Sequence, residues 1–270
     1  MVDFPADIYT EPDADVDTLN NLGPLTGMAG IWTSASGEDV HPTAGGPEQQ
    51  AFIERYELQP IDPQTNGPQL LYGLRYHTHI VKPDSAETFH DQVGYWLWEP
   101  ATGTIFYTLS IPRAQIAMAV GHAASGATTF SLEAVRGSET KGIVSNPFLE
   151  HAFKTLRVTI EVTINPGGTW SYEQDTVMVI PSVPNPFHHT DRNTLMKIGD
   201  PMPNPLAAQR VNRTTQPRSL GIGSLRSVVR RRDDPATDAP GAGAPDYSRT
   251  ASPGTRSRRS TSPSSGRRSP

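Results

Sequence analysis

A two-residue hydrophobic period, kept up over one short segment after another, constrains this chain more than any other feature. Leu156, Val158, Ile160, Val162 and Ile164 alternate with Arg157, Thr159, Glu161 and Thr163. Neighbouring side chains of a strand point to opposite faces, so this pattern marks a half-buried strand and not a helix. Leu70, Tyr72, Leu74, Tyr76 and Ile80 repeat it around Arg75, His77 and His79. Residues 105–111 and 116–120 follow suit, and across 93–98 both faces are apolar, with Val93, Tyr95 and Leu97 set against Gly94, Trp96 and Trp98. The turn Asn165-Pro166-Gly167-Gly168 joins the first of these segments to Trp170, Tyr172, Gln174, Thr176 and Met178, which predicts a hairpin.

Segments at 31–36, 51–58 and 128–135 bring the expectation to about ten short strands separated by tight turns. Such a meander forms a sandwich or a closed barrel, and closure removes the exposed edges it would otherwise present. The predicted fold is therefore all-β, an antiparallel up-and-down β-barrel. Helical spacing is confined to residues 16–28, where Leu19, Leu22 and Leu25 predict a short N-terminal helix.

Charge divides the chain. Residues 1–200 hold 10 Lys+Arg against 24 Asp+Glu, a net of −14, whereas 201–270 hold 13 Arg, no Lys and 4 Asp, a net of +9. The last seventy residues also contain ten prolines, eleven serines and a single aromatic, Tyr247. That composition cannot bury enough apolar surface to offset chain entropy, which predicts a disordered Arg/Ser/Pro-rich tail. The expected organisation is an acidic lead-in over 1–20, a barrel over 21–200 and the tail over 201–270. Arginines in the tail suit non-specific contact with a polyanion, and no nucleic-acid site is expected beyond that.

Several function classes drop out. The absence of cysteine removes disulfides, thiolate metal sites and Cys nucleophiles. Neither a P-loop nor a GxGxxG is present, and Gly137-Ser138-Glu139 does not form a nucleophile elbow. The acidic N-terminus lacks the basic start and apolar run of a secretion signal, and no stretch reaches the roughly 18 apolar residues of a membrane helix. A cytoplasmic protein without a membrane partner is the expectation.

Two motifs carry the candidate chemistry. Gly30-Ile31-Trp32 opens the first strand, and Gly-x-Trp at that place is common in lipocalin-like and fatty-acid-binding-like barrels, where the indole plugs the closed end. Near the end of the predicted barrel lie Pro186-Phe187-His188-His189-Thr190-Asp191. A neutral imidazole is a standard axial ligand of haem iron, and its second ring nitrogen needs an acceptor, for which Asp191 or a nearby carbonyl is a candidate. His77 and His79 are two apart on one strand, but no third ligand is evident, and a solvated outer face is the better reading.

Together, Gly30-x-Trp32, then Pro42-Thr43, then the run FHDQVGYWLW at 89–98, then the histidines followed by Thr194-Leu195-Met196-Lys197-Ile198, resemble the nitrobindin family. The resemblance spans residues 22–198. It implies a ten-stranded fatty-acid-binding-protein-like barrel that binds haem b, with peroxynitrite or nitric oxide as small-molecule ligand. Some family members are ferric-haem peroxynitrite isomerases, forming nitrate. The family's iron-binding histidine falls on His188 or His189, and His189 is favoured as the nearer to Thr194-Leu195. The threonine beside the haem corresponds to Thr43, and a haem-side lysine to Lys154. The sequence departs from the family where Ser34 and Ser36 stand for the later glycines of Gly-x-Trp-x-Gly-x-Gly, where His41 precedes Pro42-Thr43 in place of tyrosine, and across 144–153. The alternative is a non-enzymatic carrier of a fatty acid or other apolar molecule, with Arg75 or Arg113 meeting a carboxylate. Self-association, as a homodimer, is left open.

Overall fold

The computed structural model describes residues 4–85, 87–181 and 183–204; the expected tail lies outside the described residues from 205 onward. Ten antiparallel strands form the wall of a closed barrel. In chain order they are β1 (Gly30–Thr43), β2 (Gly46–Pro60), β4 (Gln69–Val81), β5 (Thr88–Glu99), β6 (Thr104–Ile111), β7 (Gln115–His122), β8 (Thr129–Val135), β10 (Lys154–Ile164), β11 (Trp170–Val179) and β12 (Phe187–Gly199). Two short strands, β3 (Gln64–Asn66) and β9 (Ile143–Ser145), pair with β4 and β7 beside that wall. Among the ten wall strands neighbours follow chain order, and β12 pairs with β1 to close the ring.

The predicted period survives in the fold. Along β10, Val158, Ile160 and Val162 are buried while Arg157 and Glu161 are exposed. The hairpin to β11 turns through Gly167 and Gly168, both at positive φ (94° and 86°), a region that a side chain makes costly. Gly94 serves differently: a Cβ there would sit 2.0 Å from the Thr108 carbonyl oxygen, so only glycine lets β5 lie this close to β6. His77 and His79 face outward as expected, His77 against Asp91 and His79 against Thr88.

One end of the barrel is filled. The predicted N-terminal helix takes the form of two 3-10 helices, Thr18–Asn20 and Gly23–Met28, because Gly23-Pro24 interrupts any longer α-helical run. The second places Leu25 and Met28 in the core beside Leu22, Trp32 and Trp98. Trp32 donates its indole Nε1–H to the Met28 carbonyl at 2.7 Å and meets Trp170 edge-on. The plug expected of Gly-x-Trp is thus hydrogen-bonded as well as buried.

The other end carries a helix the period did not announce, α1 (Pro147–Ala152). Asn146 caps it by accepting from the backbone N–H groups of Phe148 and Leu149, and Pro147 starts it where no backbone donor is needed. It follows β9, which pairs with β7 where the β7–β8 ladder, limited to Val120↔Glu133 and Gly121↔Leu132, has ended.

Removing the plug tests this account. Trp32→Ala should cost about 3–5 kcal/mol, the usual range for deleting a buried aromatic. Urea denaturation should show a lowered midpoint with an unchanged slope.

Candidate functional site

The inward residues of β1, β2, β4, β5, β6, β7, β10, β11 and β12, with α1, enclose a cavity of about 630 Å³ that opens toward the α1 end. That volume lies within the ~300–1,000 Å³ of small-molecule and cofactor pockets. Its lining is layered. Phe89, Ile111, Phe148, Leu149, Phe153 and Met178 surround the mouth, and Tyr56, Tyr107, Tyr172 and Trp170 approach the plugged end. Polar side chains lie between them.

The first polar group joins β1 to β12. The ladder sets Asp39 opposite Asp191 and Val40 opposite Thr190, so Asp39, His41, His189 and Asp191 all line the cavity. Asp39 is buried, and each of its carboxylate oxygens accepts one imidazole: Oδ1 from His189 Nε2 and Oδ2 from His41 Nδ1, both at 2.7 Å. Burial pulls the His189 pKa down, but the hydrogen bond and charge of Asp39, with Asp191 beyond, outweigh it and hold the value above normal. Asp191, read from sequence as a candidate acceptor for the ring, instead accepts from Gln174 at 2.9 Å.

The second group is deeper. Glu54 is 1% exposed, with its carboxylate accepting from Thr78 (2.7 Å), Tyr172 (2.9 Å) and Asn193 (2.7 Å). Desolvation raises its pKa against those three hydrogen bonds. Gln92 donates to the hydroxyls of Tyr76 (2.7 Å) and Tyr107 (2.6 Å), while Trp96 donates to Tyr56. Burial pushes Tyr107 up to about 12, so these phenols stay protonated donors. Trp170 lines the same cavity, and its buried Nε1–H has no partner among the described residues.

The residues expected at the site separate. His189 lines the cavity; His188, next along β12, points outward to Asp175, as alternation requires. Thr43 is exposed at the β1–β2 turn, bonded to the Gly46 carbonyl, and is not among the cavity-lining residues. Lys154 is exposed at the start of β10 and does not line the cavity either. Ser34 is buried in β1, bonded to Ser36 beside an irregularity in the ladder, and both lie away from the cavity lining. Arg113 lines the mouth, donating to the Phe89 carbonyl, whereas Arg75 is exposed on the outer face of β4. Asp39, Glu54 and Gln92 were missed. Asp39 and His41, two apart on one strand, shared a face that the period alone could have revealed.

Two cavity groups make stability depend on pH in opposite senses. Desolvation raises Asp191 to about 7 from 3.8, so the folded barrel holds that proton more tightly than the unfolded chain, and stability falls as pH rises through this window. Desolvation lowers His90 to about 4 from 6.5, with Arg113 adding to the effect, so stability falls as pH drops through that window. Thermal melts should show Asp191→Asn gaining on the parent at about pH 8 and losing that gain toward pH 4. His90→Gln should gain at about pH 5 and not at about pH 8.

Among solved structures, the crystal structure of Rv2717c from M. tuberculosis is 18% identical, covers 67% of this chain and 98% of that chain, and aligns with a TM-score of 0.46. No curated protein matches the chain. A model of the THAP4-like, heme-binding beta-barrel domain matches residues 21–197, most of the chain and all ten wall strands but the last two residues of β12. The chain therefore belongs to the family of THAP4-like haem-binding β-barrel domains, the nitrobindin family.

Proposed function

We propose that the cavity holds haem b with its iron on His189, and that the ferric form isomerises peroxynitrite to nitrate. One observation carries the ligand assignment. His189 is the member of the histidine pair that lines the cavity, where Nε2 meets Asp39 at 2.7 Å, whereas His188 turns outward to Asp175. Iron on Nε2, the usual axial nitrogen, would take the place of the Asp39 contact and leave that carboxylate to His41.

The other residues fit the group. Phe89, Ile111, Phe148 and Met178 offer an apolar rim to a flat macrocycle, and Arg113 offers a cation at the mouth to a propionate. The buried Trp170 N–H, without a partner among the described residues, leaves a donor for a small bound molecule or water. Bound ferric haem supplies the rearrangement itself, which is cofactor chemistry. The chain's share is to supply the imidazole, to exclude bulk water with the apolar mouth and α1, and to present protonated phenols. Glu54, Asp39 and Asp191 inside the barrel give no attraction for a distant anion, so no electrostatic steering is invoked.

A carrier of a fatty acid is the second reading, favoured by the apolar rim with Arg113 beside it.

The full chain loaded with haem decides between them. His189→Ala should abolish or shift the Soret band while His188→Ala leaves it in place; no change in either variant would sink the ligand assignment. Failure of haem to bind, with long-chain acids displacing a fluorescent probe, would establish the carrier. Peroxynitrite decay followed at a fixed haem concentration should lose its acceleration in His189→Ala.

A further inference from the structure

We propose that the outer face of β5, β6, β7 and β9 docks a second copy of this chain about a two-fold axis through β6. This face lies outside the wall and owes nothing to what the cavity binds.

Residues 93–98 are apolar on both faces, and the barrel interior uses only one of them. Trp96 and Trp98 are buried in the core, while Val93, Tyr95 and Leu97 take the outward face. The outward residues of β10 (Arg157, Thr159, Glu161) and of β4 (Arg75, His77, His79) are polar, as a solvated wall requires. Register lines the apolar side chains of β5, β7 and β9 up in rows. Val93 pairs with Ser110, Ser110 with Ile116, and Ile116 with Val144. In the next row Tyr95 pairs with Thr108, and Thr108 with Met118. Val93, Tyr95, Ile116 and Val144 are 43–63% exposed, and all line a groove of about 920 Å³. A contiguous exposed apolar band of this kind marks an interaction site.

Charge selects the occupant. Arg75 lines the groove on the β4 side and Glu139 on the β9 side, and neither has an ion-pair partner among the described residues. Glu57 and His77, which also line it, are already matched by Arg55 and Asp91. A two-fold axis exchanges the two sides, so one unmatched cation and one unmatched anion at opposite margins make the face self-complementary. Such an axis lays Tyr95 over the partner's Ile116 and Val93 over the partner's Met118. The small hydroxyls of Ser110 and Thr108 then meet at the axis, and each Arg75 reaches the partner's Glu139.

Sedimentation velocity of the full chain over a concentration series should show a monomer–dimer equilibrium. Ile116→Glu puts an unpaired charge in the apolar band and should raise the dimer dissociation constant about 100-fold. Its melting temperature should stay at the parent value, because this side chain faces away from the core. Arg75→Glu and Glu139→Arg should each weaken the dimer about tenfold, and the double variant, with the charges exchanged, should recover the parent value. A chain that stays monomeric at every concentration overturns the proposal and leaves the face to a different partner. A dimer that Ile116→Glu leaves intact, or a double variant no tighter than the single ones, overturns it as well. Should Ile116→Glu lower the melting temperature, the charge exchange on two exposed side chains decides alone.

Discussion

The antiparallel pairing of β1 with β12 is the interaction on which the rest of this molecule depends. It joins residues 30–43 to 187–199, near the two ends of the folded chain, and with the β2–β4 ladder it turns an open meander into a ring. A ring has no unpaired edge, so backbone groups that an open sheet would expose are satisfied within the wall. The same ladder brings Asp39 to His189 across 150 residues of sequence. Closure of the fold and assembly of the site are one event.

Closure also creates an interior that a sandwich would not have. Side chains fill it only at the plugged end, where Trp32, Trp98 and Trp170 meet Leu25 and Met28. Toward α1 it stays hollow, and its walls hold carboxyls, histidines and phenols in a poorly solvated space. Burial then sets their chemistry: Asp191 and Glu54 move toward the protonated form, His90 toward the neutral one. Each such group opposes folding in part of the pH range, a cost a simple structural barrel has no need to carry. Polar groups retained in this way are expected where a cavity serves a ligand.

Legibility in the sequence followed periodicity. The β10–β11 hairpin, with its five alternating aliphatic residues and its Pro-Gly-Gly turn, could be read because every local signal agreed. β9 and α1 could not, because three and six residues are too short to display a period, and α1 depends on a cap at Asn146 whose value shows only once the helix exists. The N-terminal segment kept its leucine spacing but not its helix type, since Gly23 and Pro24 resist an α-helix that the three-residue spacing alone would allow. At the site, alternation was enough to send His188 and His189 to opposite faces. It could not say which face was inside.

By itself the sequence determined the long wall strands and which of their residues share a face, because strand period, turn glycines and the charge break near residue 200 are local properties of the chain. Which strands neighbour one another, and in what register, only the tertiary structure decided. Pairing partners are chosen by the collective burial of the interior, and that choice made Asp39 the acceptor for His189 where proximity in sequence had pointed to Asp191. The chemistry of the cavity lies in that register.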